Sequence, residues 1–149
     1  MYSGVTPKKN GKRILILDDD PSLRHLMWYA LRRDGHRVAV AHHPKEAEER
    51  LRKECFDLLV TDHHMPYETG LSFVRRIRQA KQKHFVPHQN MPVIMISSYN
   101  QPEHIHDLMT IGVGALLQKP FRIRDFTQAV RELTTHGNDS QFRYVKSLA

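Results

Sequence analysis

Short apolar segments alternate along this chain with longer segments in which apolar residues recur every three or four positions. The short segments are almost continuously apolar, which is typical of strands whose two faces are both covered. They predict five strands, at residues 13–17, 38–41, 58–61, 93–97 and 115–117. The spacing of the intervening segments predicts a helix after each strand.

Turn residues support the same division of the chain. Pro44 is suited to the first turn of the second helix, and Gly35, Gly112 and Gly137 are suited to end the first, fourth and fifth. Because crossovers between parallel strands are right-handed, five βα units predict an α/β fold. We expect a doubly wound, five-stranded parallel sheet with helices on both faces.

The length of 149 residues is that of one domain. We predict a basic N-terminal tail at residues 1–12, a folded domain at 13–136 and a frayed C-terminal tail at 137–149. Residues 82–91 are polar and interrupted by proline, so they predict an enlarged loop before the fourth strand rather than a helix.

The composition is that of a globular protein, with 40% hydrophobic and 26% charged residues. No apolar run approaches the roughly 20 residues that cross a membrane, and the first residues lack the apolar core of a signal peptide. The single cysteine, Cys55, excludes an internal disulfide framework and is typical of a reducing compartment. We therefore expect a cytoplasmic protein with no membrane partner.

The formal net charge is +7, and basic residues are concentrated near the N-terminus and between positions 75 and 83. No aromatic residues that could stack on bases are interleaved with them. We interpret the second cluster as a solvated helix face and do not expect nucleic acid as a partner. The eleven histidines form no HExxH or Cys/His ligand pattern, which argues against a dedicated zinc site.

Three consecutive aspartates, Asp18, Asp19 and Asp20, follow directly on the first predicted strand. Carboxylates this close repel one another, and the usual reason to gather them is a hard cation such as Mg²⁺. The carboxyl ends of parallel strands are also where ligands bind. The structural alternative is that Asp20 caps a helix with Pro21 at its first position, while the other two are solvated.

Three further polar residues, Asp62, Ser97 and Lys119, fall at carboxyl ends of predicted strands. Individually they could initiate a turn, cap a helix or be a surface cation. Together with Asp18 and Asp19 they predict a site for phosphoryl transfer, which needs positioning and positive charge. Two carboxylates would hold Mg²⁺, Asp62 would attack phosphorus, and the hydroxyl and ammonium groups would bind the phosphoryl oxygens.

The ordered motifs closely resemble the receiver domain of two-component response regulators, the CheY-like superfamily. The matching segments are ILILDDDP at 14–21, DLLVTDHHMP at 57–66 with Gly70, PVIMISS at 92–98 and KPF at 119–121. The resemblance extends from about residue 13 to about residue 136. It implies a flavodoxin-like sheet with strand order 2-1-3-4-5.

The resemblance also implies a metal site. The acidic pair of the family corresponds to Asp18 and Asp19, and the phosphoacceptor corresponds to Asp62. The implied Mg²⁺ ligands are Asp18, Asp19, Asp62 and the backbone carbonyl of His64, with Mn²⁺ as a substitute ion.

The remaining roles concern switching. Ser97 and Lys119 correspond to the switch hydroxyl and the phosphate-sensing lysine, and the Lys119–Pro120 bond is cis in the family. The implied partners are a sensor histidine kinase or phosphotransfer protein and a downstream effector. The effector would bind the face of the fourth helix, fifth strand and fifth helix, which could also form a homodimer. Self-phosphorylation and autodephosphorylation would be the only chemistry, so we do not expect an enzyme.

Four positions depart from the family pattern. Leu116 stands where the family often has an aromatic residue that moves inward on switching. His64 and Tyr99 occupy positions that tune the lifetime of the phosphoryl group, and Tyr67 replaces a small residue after the Met-Pro pair.

Two other functions remain open at this point. One is a phosphatase similar to haloacid dehalogenases, with Asp18 as nucleophile and Asp20 as general acid, but it would leave Asp62 without a role. The other is a phosphorylation-independent scaffold or nucleic-acid-associated receiver, suggested by the basic clusters and by Leu116.

Overall fold

One parallel sheet organises the chain in a computed structural model, which describes residues 6–79, 81–99, 101–139 and 141–149. Within those residues the strand order is β2-β1-β3-β4-β5-β6, and each neighbouring pair is parallel. The strands are β1 (Arg13–Leu17), β2 (Arg37–Ala41), β3 (Leu58–Asp62), β4 (Val93–Ser97), β5 (Ala115–Gln118) and β6 (Arg143–Val145). The predicted order 2-1-3-4-5 is confirmed, and a sixth strand extends it.

Helices cover both faces of the sheet, as predicted. They are α1 (Pro21–Arg33), α2 (Pro44–Lys53), α3 (Gly70–Gln79), α4 (Pro102–Thr110) and α5 (Ile123–His136). Short 3₁₀ helices span Lys83–His88 and Gly137–Asp139. Among the described residues, no helix combines the length and apolarity needed to cross a membrane.

Alternating side chains of each central strand enter two separate cores. Leu15 and Leu17 of β1 pack on the side of α2, α3 and α4. Ile14 and Ile16 pack on the opposite side, against α1 and α5. All four side chains are fully buried, which explains why the strand is continuously apolar in the sequence. The carboxyl ends of these strands are therefore held rigidly from both faces.

The segment 82–91 is not the loop that we predicted. Lys83–His88 forms a 3₁₀ helix with Phe85 and His88 each 1% exposed. These two residues are three positions apart, which places them on one side of a helix with three residues per turn. The imidazole Nε2 of His88 lies 2.9 Å from the carbonyl oxygen of Leu51, so the buried ring is anchored to α2.

The prediction of a frayed C-terminal tail is also wrong for the residues after Ser140. Arg143–Val145 forms β6, in which Tyr144 lies beside Leu116 of β5. The side chain of Phe142 packs against the same core as α3 and α4. The strand satisfies backbone groups of β5 that would otherwise lie at an open sheet edge.

Described residues of the predicted N-terminal tail are likewise attached to the domain. The Lys8 amide donates to the carbonyl of Gly35 (2.9 Å), and the Lys12 amide donates to His36 Nδ1 (3.0 Å). Gly35 has a φ of +92°, which suits glycine at the turn that ends α1. Residues 1–5 lie outside the described part of the chain, and the domain boundaries at 13 and 136 stay a prediction.

Two members of the basic cluster at positions 75–83 are not solvated as we had interpreted them. The Arg76 guanidinium donates to carboxylate oxygens of Glu68 (2.8 Å) and Glu48 (3.3 Å). The Arg78 guanidinium donates to the backbone carbonyls of Ile111 and Gly112 after α4 and to that of Gln89 after the 3₁₀ helix. These contacts use both cations inside the protein, which leaves less free positive charge on this face.

Candidate functional site

The predicted polar residues meet at the carboxyl edge of the sheet. Asp18 follows β1, Asp62 ends β3, Ser97 ends β4 and Lys119 follows β5. The sheet reverses its winding between β1 and β3, because β2 lies on one side of β1 and β3 on the other. Such a switch point opens a crevice at the carboxyl ends of the strands, where ligands bind in open α/β sheets.

Asp18, Asp19 and Asp62 form an acidic group in this crevice. One carboxylate oxygen of each lies within 4.8 Å of the others. The side chains of Asp18 and Asp62 are 0% and 2% exposed, whereas Asp19 is exposed. The sequence prediction that these three residues come together is therefore matched by the geometry.

Asp20 has a different task from its two neighbours. It is the N-cap of α1, and its Oδ1 accepts the amides of Ser22 (2.9 Å) and Leu23 (3.4 Å). Pro21 occupies the first helical position, where its missing N–H costs nothing. The capping alternative thus holds for Asp20 alone, because Asp18 and Asp19 do not cap the helix.

Burial makes the Asp18 carboxylate costly in its charged form. Burial raises the pKa of Asp18 to about 6, and the neighbouring Asp62 charge adds to that shift. Oδ1 accepts the Asp20 amide at 2.8 Å, whereas Oδ2 is buried without a hydrogen-bond partner among the described residues. A buried oxygen without a partner, surrounded by like charge, is a position where a cation would be stabilising.

Lys119 compensates part of the charge on Asp62. Its Nζ lies 3.1 Å from Asp62 Oδ1, and the His64 amide also approaches that oxygen, at 3.4 Å. Burial raises the pKa of Asp62, and the Lys119 ammonium opposes that rise. The Lys119 side chain is 26% exposed, so it can be reached from solvent.

Gly70 allows the loop after β3 to close tightly beneath Asp62. Its amide donates to the carbonyl of His63 at 3.0 Å. A Cβ at this position would lie 2.4 Å from the Asp62 carbonyl oxygen and 2.9 Å from Met95 Sδ. Only glycine fits this approach without displacing the backbone that carries Asp62.

Ser97 is fully buried at the end of β4. Its Oγ accepts the Tyr99 amide at 3.0 Å, and its carbonyl accepts the Lys119 amide at 2.9 Å. The hydroxyl hydrogen can therefore be donated to another acceptor. The Lys119–Pro120 peptide bond is cis, as the resemblance implied.

Four rings border the site, and sequence reasoning identified only two of them. His64 and Tyr99 pack edge to face with centroids 4.2 Å apart, as neighbours of the site should. His63 packs against His104 at 4.4 Å, and burial lowers the pKa of His63 to about 4. Of the two missed residues, His63 and His104, the latter had one signal in the sequence, because Pro102 opens α4 and puts position 104 in its first turn.

The residues fit a magnesium ion. Mg²⁺ prefers oxygen ligands, usually one or two carboxylates supplemented by water. The acidic group supplies three carboxylates, including the buried Asp18 Oδ2, which has no hydrogen-bond partner among the residues that the structure covers. The chemistry of this donor set therefore agrees with the ion that the sequence predicted.

Comparison with known proteins points to one family. The model of the response regulator receiver domain matches residues 14–131. A chemotaxis protein CheY homolog of Campylobacter jejuni is 32% identical over 128 residues, covering 85% of this chain and 95% of that protein. The response regulator protein PilR of Pseudomonas aeruginosa is 34% identical over 109 residues, or 73% of this chain. The chain spans only 23% of PilR and 48% of the transcriptional regulatory protein KdpE of Staphylococcus aureus.

Solved structures agree with this assignment. The receiver domain of the Francisella response regulator 1452 superposes with a TM-score of 0.75 and 26% identity, covering 85% of this chain and 98% of that one. The chemotaxis response regulator CheY4 of Vibrio cholerae gives a TM-score of 0.71 and 26% identity, covering 81% and 97%. Both similarities extend over most of the domain rather than over the site alone.

Proposed function

This chain belongs to the response regulator receiver domain family, and we propose that Asp62 accepts a phosphoryl group in a Mg²⁺-dependent reaction. The donor would be a phosphohistidine on a sensor histidine kinase or a phosphotransfer protein. The observation that carries the proposal is the position of Asp62, buried at a strand end with one oxygen 3.1 Å from Lys119 Nζ and close to two further carboxylates.

In the proposed reaction an Asp62 carboxylate oxygen attacks phosphorus. The new O–P bond forms while the N–P bond to the donor imidazole breaks, and the imidazole leaves with the bonding electron pair and takes up a proton. The phosphoryl group passes through a loose transition state, so the protein contributes positioning and charge rather than covalent help.

Asp18, Asp19, Asp62 and the His64 carbonyl would hold the magnesium ion. When bound, Mg²⁺ supplies positive charge beside the transferring phosphoryl oxygens. Lys119 contributes a second positive charge, because its ammonium can leave the Asp62 carboxylate for a phosphoryl oxygen. Ser97 can donate its hydroxyl hydrogen to another of these oxygens, since Oγ already accepts from Tyr99.

The outcome that we propose is a switched protein contact. The face of α4, β5 and α5, on which β6 covers the outer edge of β5, would bind a downstream effector or a second copy of this chain. A cytoplasmic location remains a prediction that rests on the sequence, as does the absence of nucleic acid among the partners. The internal contacts of Arg76 and Arg78 support the latter prediction.

The phosphatase alternative is less well supported. It needs Asp20 as a general acid, whereas the Asp20 carboxylate accepts two backbone amides at the start of α1. These two hydrogen bonds hold Oδ1 of Asp20 in the helix cap. The alternative would also leave the pair of Asp62 and Lys119 without a role.

Incubation with acetyl phosphate and Mg²⁺, followed by intact-mass spectrometry, tests the proposal. We expect the mass to rise by one phosphoryl group in the wild-type chain and not in Asp62→Asn. Asp20→Asn is the matched control, because asparagine caps a helix about as well as aspartate and the metal ligands are unchanged. Equal labelling of wild type and Asp62→Asn, or no labelling of wild type, would refute the proposal.

A further inference from the structure

Residues 141–149 form β6 at one side of the sheet and then continue to the carboxyl ends of the strands, where the acidic site also lies. Because β6 is parallel to β5, the residues that follow β6 arrive at the carboxyl edge. An antiparallel strand would have led them to the opposite edge. The topology thus brings Ser147 and Leu148 close to residues 118–120.

Gln118 accepts two hydrogen bonds from this segment. Its Oε1 accepts the phenol hydrogen of Tyr144 at 2.9 Å and the amide of Ser147 at 3.2 Å. The Leu148 amide donates to the carbonyl of Pro120 at 2.9 Å. These contacts therefore flank Lys119 on both sides along the chain.

Lys119 itself is tied to the site. Its amide donates to the carbonyl of Ser97 at 2.9 Å, and its Nζ pairs with Asp62 at 3.1 Å. Residues 118–120 are thus anchored to the acidic site through Lys119 and to the C-terminal segment through Gln118 and Pro120. A displacement of the Lys119 backbone would therefore disturb the contacts of Gln118 and Pro120 as well.

We infer that residues 141–149 form a strap whose attachment is coupled to the chemical state of Asp62 through residues 118–120. The inference rests on the proposed function. The contacts of the strap are made while Lys119 is paired with the free Asp62 carboxylate. They will fit less well when Lys119 follows a phosphoryl oxygen, so modification of Asp62 loosens the strap.

The strap is held weakly enough to loosen when Asp62 is modified. β6 has three residues, all of them only partly buried, in contrast to the fully buried β3 and β4. Its firmest side-chain contact outside Gln118 is the ion pair of Arg143 with Glu132 of α5, at 2.7 Å. Short edge elements with few buried contacts open more readily than the rest of a domain.

Hydrogen exchange measured by mass spectrometry tests the coupling. In the wild-type chain with Mg²⁺, beryllofluoride should speed the exchange of amides 143–148 by about fivefold, a typical strength of coupling between sites. Amides of β2, at the opposite edge of the sheet, should not change. Unchanged exchange at 143–148 in a chain that binds beryllofluoride would overturn the inference.

Reciprocity provides a second test, because coupling between two sites must act in both directions. Tyr144→Phe removes one hydrogen bond of the strap and should strengthen beryllofluoride binding by about twofold to fivefold. Gln118→Leu removes the same hydrogen bond together with that of the Ser147 amide, so its effect should be at least as large. The double variant should gain little over Gln118→Leu, because the two changes share the Tyr144 interaction. Tyr29→Phe is the control, because this tyrosine lies exposed on α1.

The proposed phosphorylation of Asp62 and the proposed coupling of the strap can be refuted separately. If the wild-type chain takes up neither phosphoryl group nor beryllofluoride, the proposed function fails and the coupling fails with it. If the chain binds beryllofluoride with equal affinity in wild type, Tyr144→Phe and Gln118→Leu, only the coupling is refuted.

Discussion

Replacing Asp18 by asparagine should make the metal-free protein more stable. In the unfolded chain this carboxyl ionises at its ordinary pKa of 3.8, whereas burial raises the folded-state pKa to about 6. A difference of about two units corresponds to about 3 kcal/mol at neutral pH and above. Asparagine keeps an oxygen to accept the Asp20 amide and removes the charge.

The gain will be smaller than that upper figure. The amide NH₂ of asparagine replaces the buried Oδ2, and a buried donor without a partner costs about 1–3 kcal/mol. The Asp62 carboxylate, in the same acidic group, can accept part of that hydrogen bonding. We therefore expect Asp18→Asn to raise the free energy of unfolding by about 1–2 kcal/mol at pH 8 in a metal chelator.

The pH dependence follows from the sign of the shift. Because the folded state holds the Asp18 proton more tightly, it binds more protons than the unfolded state between pH 3.8 and about 6. Wild-type stability from this group is complete below that window and is lost as the pH rises through it. The advantage of Asp18→Asn should therefore grow across the window and stay constant above it.

Magnesium should reverse the order of stability. A ligand that binds only the folded state stabilises it by about 2.7 kcal/mol at 100 times its dissociation constant. Wild type should gain this and Asp18→Asn should gain little, because it lacks one carboxylate of the site. Urea unfolding followed by circular dichroism, with chelator and with Mg²⁺, measures both effects, and Asp20→Asn serves as the control. Lower stability of Asp18→Asn than wild type at pH 8 in chelator would refute the reasoning.

Three further predictions concern the fold. Gly70→Ala should lower the free energy of unfolding by about 1–3 kcal/mol and slow phosphorylation, because the alanine Cβ would lie 2.4 Å from the Asp62 carbonyl oxygen. An unchanged urea midpoint and an unchanged labelling rate would contradict this prediction. Phe85→Ala should cost about 3–5 kcal/mol if the 3₁₀ helix is part of the core, whereas the exposed Val86→Ala should stay within about 0.5 kcal/mol. Burial lowers the pKa of His36 below 6.5, so stability should fall as the pH drops through that value, and His36→Gln should reduce this slope in thermal melts.

The fold could be predicted because each central strand is covered on both faces. Ile14, Leu15, Ile16 and Leu17 are fully buried, so the sequence signal is a continuous apolar run. β6 lacks such a signal, since its Arg143–Val145 residues are only partly buried and one is charged. A three-residue strand at the side of a sheet forms because another strand lies beside it. The local sequence carries no information about that partner, so β6 could not be predicted.

The residues of the site that lie at strand ends could be predicted for the same reason as the strands themselves. Asp62 and Lys119 each follow an apolar strand directly, so the parallel topology alone brings them to one edge. The contacts of Gln118 with Tyr144 depend on β6, and the packing of His104 against His63 depends on the direction of α4. Such contacts arise between elements and have no periodic pattern along the chain.

The acidic group departs from the rule that buried polar atoms are paired, and the proposed magnesium site gives a reason for this departure. Asp18 Oδ2 has no hydrogen-bond partner in the part of the chain that the structure describes, and burial opposes ionisation of both Asp18 and Asp62. If evolution had selected stability alone, asparagine at position 18 would serve better by the reasoning above. A cation bound at the proposed site would offset this cost, so the instability of the metal-free protein and the proposed affinity for a metal would have one electrostatic origin. A variant that relieves one must weaken the other, which is why the order of stability should reverse with magnesium.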